Sequence, residues 1–182
     1  MNLYHLMADI GAVPSKVIPK IPANAMKEEG QSIPRICVSR SLDECLTGIT
    51  VTGITFPFLL EELRTSHTKQ IWGKQYQFPF IVRTYCAENN NSTFFDEKKV
   101  SEYVWDANFT GECWLTEYRK PISTKKRWLV NADIEIRRII RNNESWRYPI
   151  IHNSVWSNVP TYLNPEFQNK LLQMTKIWLE QN

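Results

Sequence analysis

Six glycines in 182 residues, none in a Gly-x-Gly-x-x-Gly or Gly-x-x-x-x-Gly-Lys-Ser/Thr arrangement, leave the chain without a dinucleotide fingerprint or a phosphate loop. Its three histidines, His5, His67 and His152, lie far apart, and neither His-Glu-x-x-His nor Gly-x-Ser-x-Gly occurs. Metal chemistry and nucleoside-triphosphate chemistry therefore have little to build on. Cysteine is equally sparse: Cys37, Cys45, Cys86 and Cys113 stand singly, with no Cys-x-x-Cys pair and no nearby histidine to complete a zinc set. Reduced thiols are expected, and no bound metal. No stretch approaches the ~20 apolar residues of a membrane-spanning helix. The opening MNLYHLMADIGAV lacks the basic flank and apolar run of a signal peptide, so no membrane association and a cytoplasmic location are expected. Asn91, Asn108 and Asn143 head Asn-x-Ser/Thr triplets, which matter only in a secreted chain.

Against these absences, the chain is 42% hydrophobic and 23% charged, with seven Trp, seven Tyr and eight Phe, a composition that folds. Its length suits one domain over residues 1–182, which buries roughly 70% of the unfolded surface without covalent staples. The net charge of +3 is unevenly spread. Between Arg119 and Arg147 nine basic residues face three acidic ones, flanked by Trp128 and Trp146. Such a segment suits weak nucleic-acid binding, with cations for phosphates and aromatics for stacking; it also suits an ordinary solvated face whose acidic partners lie elsewhere.

Leu3-Tyr4-His5-Leu6 reads as a first strand. Pro14, Pro19, Pro22 and Pro34 then forbid a long helix, because each removes a backbone donor and fixes its own φ, and they predict an extended arm over about 11–34. Ile36-Cys37-Val38-Ser39 reads as a strand running into a short helix that Ser41 and Glu44 open as a capping box. Residues 48–55 (GITVTGIT) are β-branched and suit a strand, Pro57 a helix start, and Phe78–Cys86 a buried strand ended by the polar 88–93. Further strands are expected at Cys113–Tyr118 and Arg127–Val130. Ile134-Glu135-Ile136 alternates as a strand does, yet Ile136, Ile139 and Ile140 also fit one helical face. Asn164, Pro165 and the spacing of Phe167, Leu171, Met174 and Trp178 predict a C-terminal helix over about 165–180. The fold class expected is α+β: a mixed, mainly antiparallel sheet of about five or six strands, few helices, and the C-terminal helix packed on the sheet.

Three pieces carry the functional reading: LYH near the N-terminus, PRICVSRSLDECL in the first third and TGECWLTE in the second half. Together, over roughly residues 3–118, they resemble a family of small bacterial and phage proteins. Their order is similar to that of the ADP-ribosyltransferase superfamily. That resemblance implies a fold of that kind, NAD as the bound molecule, His5, Ser39 and Ser41 as its contacts, and Glu112 as the catalytic carboxylate. Breaking the nicotinamide bond builds positive charge on the ribose, which a fixed carboxylate stabilises. The chain departs from the superfamily pattern in lacking two glutamates one residue apart, since Glu112 is followed by Cys113 and Trp114 and the next acid is Glu117. Each residue also has a plain structural reading: His5 as a hydrogen-bonded core histidine, Ser41 as a helix cap and Glu112 as a turn residue. The rival to the enzyme is a non-enzymatic interaction protein of phage or mobile-element type. It would bind a host protein or nucleic acid in the host cytoplasm through the basic segment and through Trp105, Trp146 and Trp156.

Overall fold

The computed structural model describes residues 1–8, 14–22, 32–52, 79–87, 92–141, 143–161, 164–170 and 173. Its elements run β1 (Asn2–Ala8), β2 (Ile36–Val38), α1 (Leu42–Thr52), β3 (Pro79–Cys86) and β4 (Phe94–Phe95), followed by α2 (Glu97–Val100), α3 (Ala107–Thr110), β5 (Cys113–Leu115), β6 (Ser123–Arg141) and β7 (Glu144–Ser157). The class is α+β, with few helices and mostly antiparallel pairing. Instead of one sheet of five or six strands there are two, a four-stranded sheet ordered β1-β3-β6-β7 and a three-stranded sheet ordered β2-β5-β4. Strand lengths explain the division: β2 and β5 span three residues and β4 two, too short to extend a sheet built on strands of seven to nineteen.

By contacts the chain forms two compact units, Met1–Gly48 with Ile81–Lys125, and Ile49–Phe80 with Lys126–Asn182. In the first, the end of β1 meets the end of β3: Met1 and Ala87 exchange backbone bonds of 3.0 and 2.9 Å. Ile122 N–H donates to the Thr84 carbonyl at 2.8 Å, which brings the start of β6 beside β3. β2 pairs antiparallel with β5 in the register Ile36↔Leu115, Cys37↔Trp114, Val38↔Cys113. One core holds Leu3, Ile36, Val38, Tyr85, Ala87, Cys113 and Leu115, and a second holds Val100, Val104, Ala107 and Trp114. The arm predicted from the prolines is extended where described, and its Lys20 forms an isolated bridge with Arg35.

The capping box forms as its sequence requires. Ser41 Oγ accepts the Glu44 amide at 3.2 Å, and Glu44 Oε2 takes the Ser41 and Arg40 amides at 2.9 Å each. The helix it starts runs to Thr52, which corrects the strand expected over 48–55; the remainder of that stretch and the helix expected after Pro57 lie outside the described residues. A helix once nucleated propagates through β-branched residues at a cost of only a few tenths of a kcal/mol each. β5 ends at Leu115 rather than at Tyr118. Thr116 donates from its amide and its hydroxyl to the Thr93 carbonyl (3.0 and 3.2 Å), one step beyond the last paired residues of β4 and β5, and Glu117 follows in an exposed bend.

In the second unit the basic segment becomes most of a long β6–β7 hairpin closed by Asn143 at φ 66°. Residues 134–140 are therefore strand, with Ile134 opposite Ile151 and Ile136 opposite Pro149. The C-terminal element opens as expected: Asn164 Oδ1 accepts the Glu166 amide at 2.9 Å, residues 165–170 are helical and Phe167 is buried. Leu171, Met174 and Trp178 lie outside the described residues.

Candidate functional site

The β2–β5 register, carried one step beyond its last paired residues, sets Ser39 across from Glu112. Ser39 is also bonded to β1, since Tyr4 and Ser39 exchange backbone bonds of 2.8 and 2.9 Å. Tyr4, Ser39 and Glu112 thus stand side by side on three neighbouring chain segments, and His5 is next along β1. Alternation then separates the side chains. Val38 and Cys113 belong to the same core as Leu3, the residue two before His5, whereas Cys37, Ser39, Glu112 and Trp114 take the opposite face.

On that second face Trp114 is fully buried and held on several sides. The Arg35 guanidinium carbon lies 4.1 Å from its ring centroid, and Phe95 and Tyr103 pack on it with centroid separations of 6.2 and 5.6 Å. Its indole N–H donates to Glu112 Oε1 at 2.7 Å, so the immobile ring fixes the carboxylate. Cys37 is exposed as a residue, yet its sulfur stands beside Glu112 and Arg35. Loss of water around it, reinforced by the Glu112 carboxylate, pushes its thiol well above the ordinary range. Burial likewise pushes Cys45 and Cys113 up to about 12. These three thiols stay protonated near neutral pH and do not present a thiolate nucleophile.

Ser39 is buried, and the neighbouring Cys45 thiol donates to the Tyr4 carbonyl at 3.2 Å. Ser41 is occupied as the helix cap, its hydroxyl turned to the Glu44 amide. The arrangement at Glu112 can hold a negative charge in a fixed position beside a protected face. Among the described residues no three His, Cys, Asp or Glu side chains are grouped to hold a metal, and no described helix is long and apolar enough to cross a membrane.

His5 occupies the other face with Arg83. Burial first, and the Arg83 charge second, lower its pKa from 6.5 to about 4, so it is neutral at pH 7. The unfolded chain takes up that proton near pH 6.5 and the folded one only near 4. Stability attributable to His5 is therefore complete above about pH 6.5 and falls as acidification proceeds toward 4, by up to about 3 kcal/mol. His5→Gln is expected to flatten the acid limb of stability between those two values. Urea midpoints measured at pH 7 and pH 4.5 check this: equal midpoint losses in both proteins would contradict it.

Sequence reasoning missed the residues that hold these groups. Trp114 reads as one of seven tryptophans, and Arg35 as one more surface cation, until β2 and β5 are paired. Arg83 carried a usable signal, a lone charge inside the apolar run PFIVRTYC. No family model matches the chain, and no curated protein or solved structure matches it either.

Proposed function

We propose that the chain is an NAD-dependent protein of ADP-ribosyltransferase type in which Glu112 supplies the catalytic carboxylate. The observation that supports this most is the alignment of Tyr4, Ser39 and Glu112 across three neighbouring segments, which gathers the LYH, PRICVS and TGECW pieces at one place in the fold. In the reaction the bond from ribose C1′ to the nicotinamide nitrogen breaks, and its electron pair leaves with nicotinamide. C1′ becomes cationic and is taken by an acceptor nucleophile, which gives up its proton. A carboxylate fixed by a buried indole needs little reorganisation to stabilise that cation. Ser39 would contribute to the NAD site from the end of β2, and Ser41 through the helix start it caps, whereas His5, on the opposite face of β1, would stand apart from the Glu112 carboxylate. Nicotinamide release from NAD by the purified protein, with bacterial lysate supplied as acceptor, tests the reading.

A second reading, an interaction protein of phage or mobile-element type, is favoured by the β6–β7 hairpin. Ile136, Arg138 and Ile140 alternate along one face of β6, and Ile136 and Ile140 are 48% and 72% exposed. Arg137 is paired with Glu135 at 3.0 Å, and His152 approaches the same carboxylate at 3.2 Å, so part of the basic charge is neutralised locally. Of the tryptophans expected to anchor a partner, Trp156 packs edge-on to Phe80 with centroids 5.5 Å apart, and Trp105 does the same with Phe109 at 6.5 Å. Nucleic-acid binding by the hairpin is expected to be weak and to vanish between ~50 and ~200 mM salt, because each phosphate contact releases counterions. Filter binding measures it; retention that does not change across that range would contradict an electrostatic mode.

A further inference from the structure

β3 carries the apolar residues Phe80, Ile81, Val82 and Tyr85, and among them Arg83 is only 2% exposed. A guanidinium removed from water needs a counter-charge or a full set of hydrogen bonds. Among the described residues Arg83 has one hydrogen-bond partner, the Pro14 carbonyl, 2.7 Å from Nη2, and its buried Nη1 has none. No carboxylate among the described residues forms an ion pair with it. One backbone carbonyl engages a single donor of the five and brings no net charge.

Two more buried polar atoms without a partner sit beside it. The paired bonds between Met1 and Ala87 set β1 antiparallel to β3, and the same register carried inward brings Leu3 opposite Tyr85 and His5 opposite Arg83. Leu3 and Tyr85 do share one core cluster. Among the described residues, His5 Nδ1 and the Tyr85 hydroxyl, like Arg83 Nη1, are buried and have no hydrogen-bond partner. Buried polar atoms are nearly always satisfied, and three orphans on one strand pair point to a shared partner. All three can donate: arginine through its fork, tyrosine through its hydroxyl, and neutral histidine through the Nδ1–H tautomer.

We infer that Arg83, His5 and Tyr85 form a buried seat for an oxoanion of the phosphate class. The guanidinium supplies the charge and a planar pair of donors, and the imidazole and phenol supply directed hydrogen bonds from either side. Free phosphate and the diphosphate of a dinucleotide present the same chemistry. The seat rests on β1 and β3 alone, so it does not depend on Glu112.

Calorimetric titration and thermal melting of the full chain test the seat, with sodium phosphate, sodium pyrophosphate and NAD as separate probes and sodium chloride matched for ionic strength. Phosphate or pyrophosphate is expected to bind saturably and to raise the melting temperature above the chloride control. NAD or pyrophosphate at least tenfold tighter than phosphate assigns the seat to a diphosphate; phosphate binding without NAD binding assigns it to the free ion. Arg83→Met is expected to abolish the response and to melt no lower than wild type without ligand, since it removes an unpaired buried charge. Tyr85→Phe keeps the ring and is expected to weaken binding about five- to tenfold. Absence of saturable binding to wild type, an undiminished response in Arg83→Met, or unchanged affinity in Tyr85→Phe overturns the inference; buried water would then be the partner of the three atoms. Saturable phosphate binding by a protein that releases no nicotinamide would keep the seat and remove the transferase reading.

Discussion

Glu112→Gln is expected to lower nicotinamide release by ~10²-fold or more while leaving the melting temperature close to wild type. Glutamine keeps the size of the side chain and an oxygen able to accept the Trp114 indole N–H, now 2.7 Å from Oε1, so the local packing survives. What disappears is the negative charge that opposes the cation forming at ribose C1′. The loss should fall on turnover more than on the NAD concentration for half-maximal rate, because the ground-state ribose is uncharged. Glu117→Gln is the control. Glu117 lies beyond the end of β5 in an exposed bend, and its neutralisation should leave the rate unchanged. Equal rates in wild type and both variants would remove Glu112 from the chemistry.

Gly111→Ala is expected to destabilise the fold by roughly 2–3 kcal/mol, the sum of a left-handed backbone penalty and a damaged helix cap. Gly111 ends α3 with φ +65°, and a Cβ there would stand 2.5 Å from Glu44 Cδ and 2.6 Å from Cγ. Glu44 cannot step aside without giving up the Arg40 and Ser41 amides that its carboxylate holds. The prediction is a lower urea midpoint with an unchanged slope. Glu44→Ala in the same background removes the collision, so the double variant should lose less than the two single losses together. Full additivity would show that the contact between Gly111 and Glu44 is unimportant. Because Gly111 immediately precedes Glu112, the same contact ties the start of α1 to the position of the proposed catalytic carboxylate.

The local signals in the sequence were legible because they depend on neighbours along the chain. Ser41 and Glu44 announce a cap three residues apart, Asn164 and Pro165 announce a helix start, and the apolar run around Phe80–Tyr85 announces a buried strand. Partition of the strands into two sheets was not legible, since pairing of β2 with β5 joins residues more than seventy positions apart and nothing in either segment names its partner. Alternation between faces was hidden for the same reason. His5, Ser39 and Glu112 look equivalent as a list of polar residues, but Leu3 and Val38 commit the core to the His5 side and leave Glu112 with Trp114 on the other. The strand expected over 48–55 failed because β-branched residues favour a strand only weakly against a helix already nucleated by its cap.

Nicotinamide released from NAD by the purified wild-type protein, measured over time with bacterial lysate as acceptor and with Glu112→Gln in parallel, tests the central claim most directly. The account predicts release that grows with protein concentration and is at least ~10²-fold slower in the variant. No release above the lysate background from the wild-type protein, at saturating NAD and with its fold verified by melting, would contradict it and leave the interaction protein as the reading of this chain.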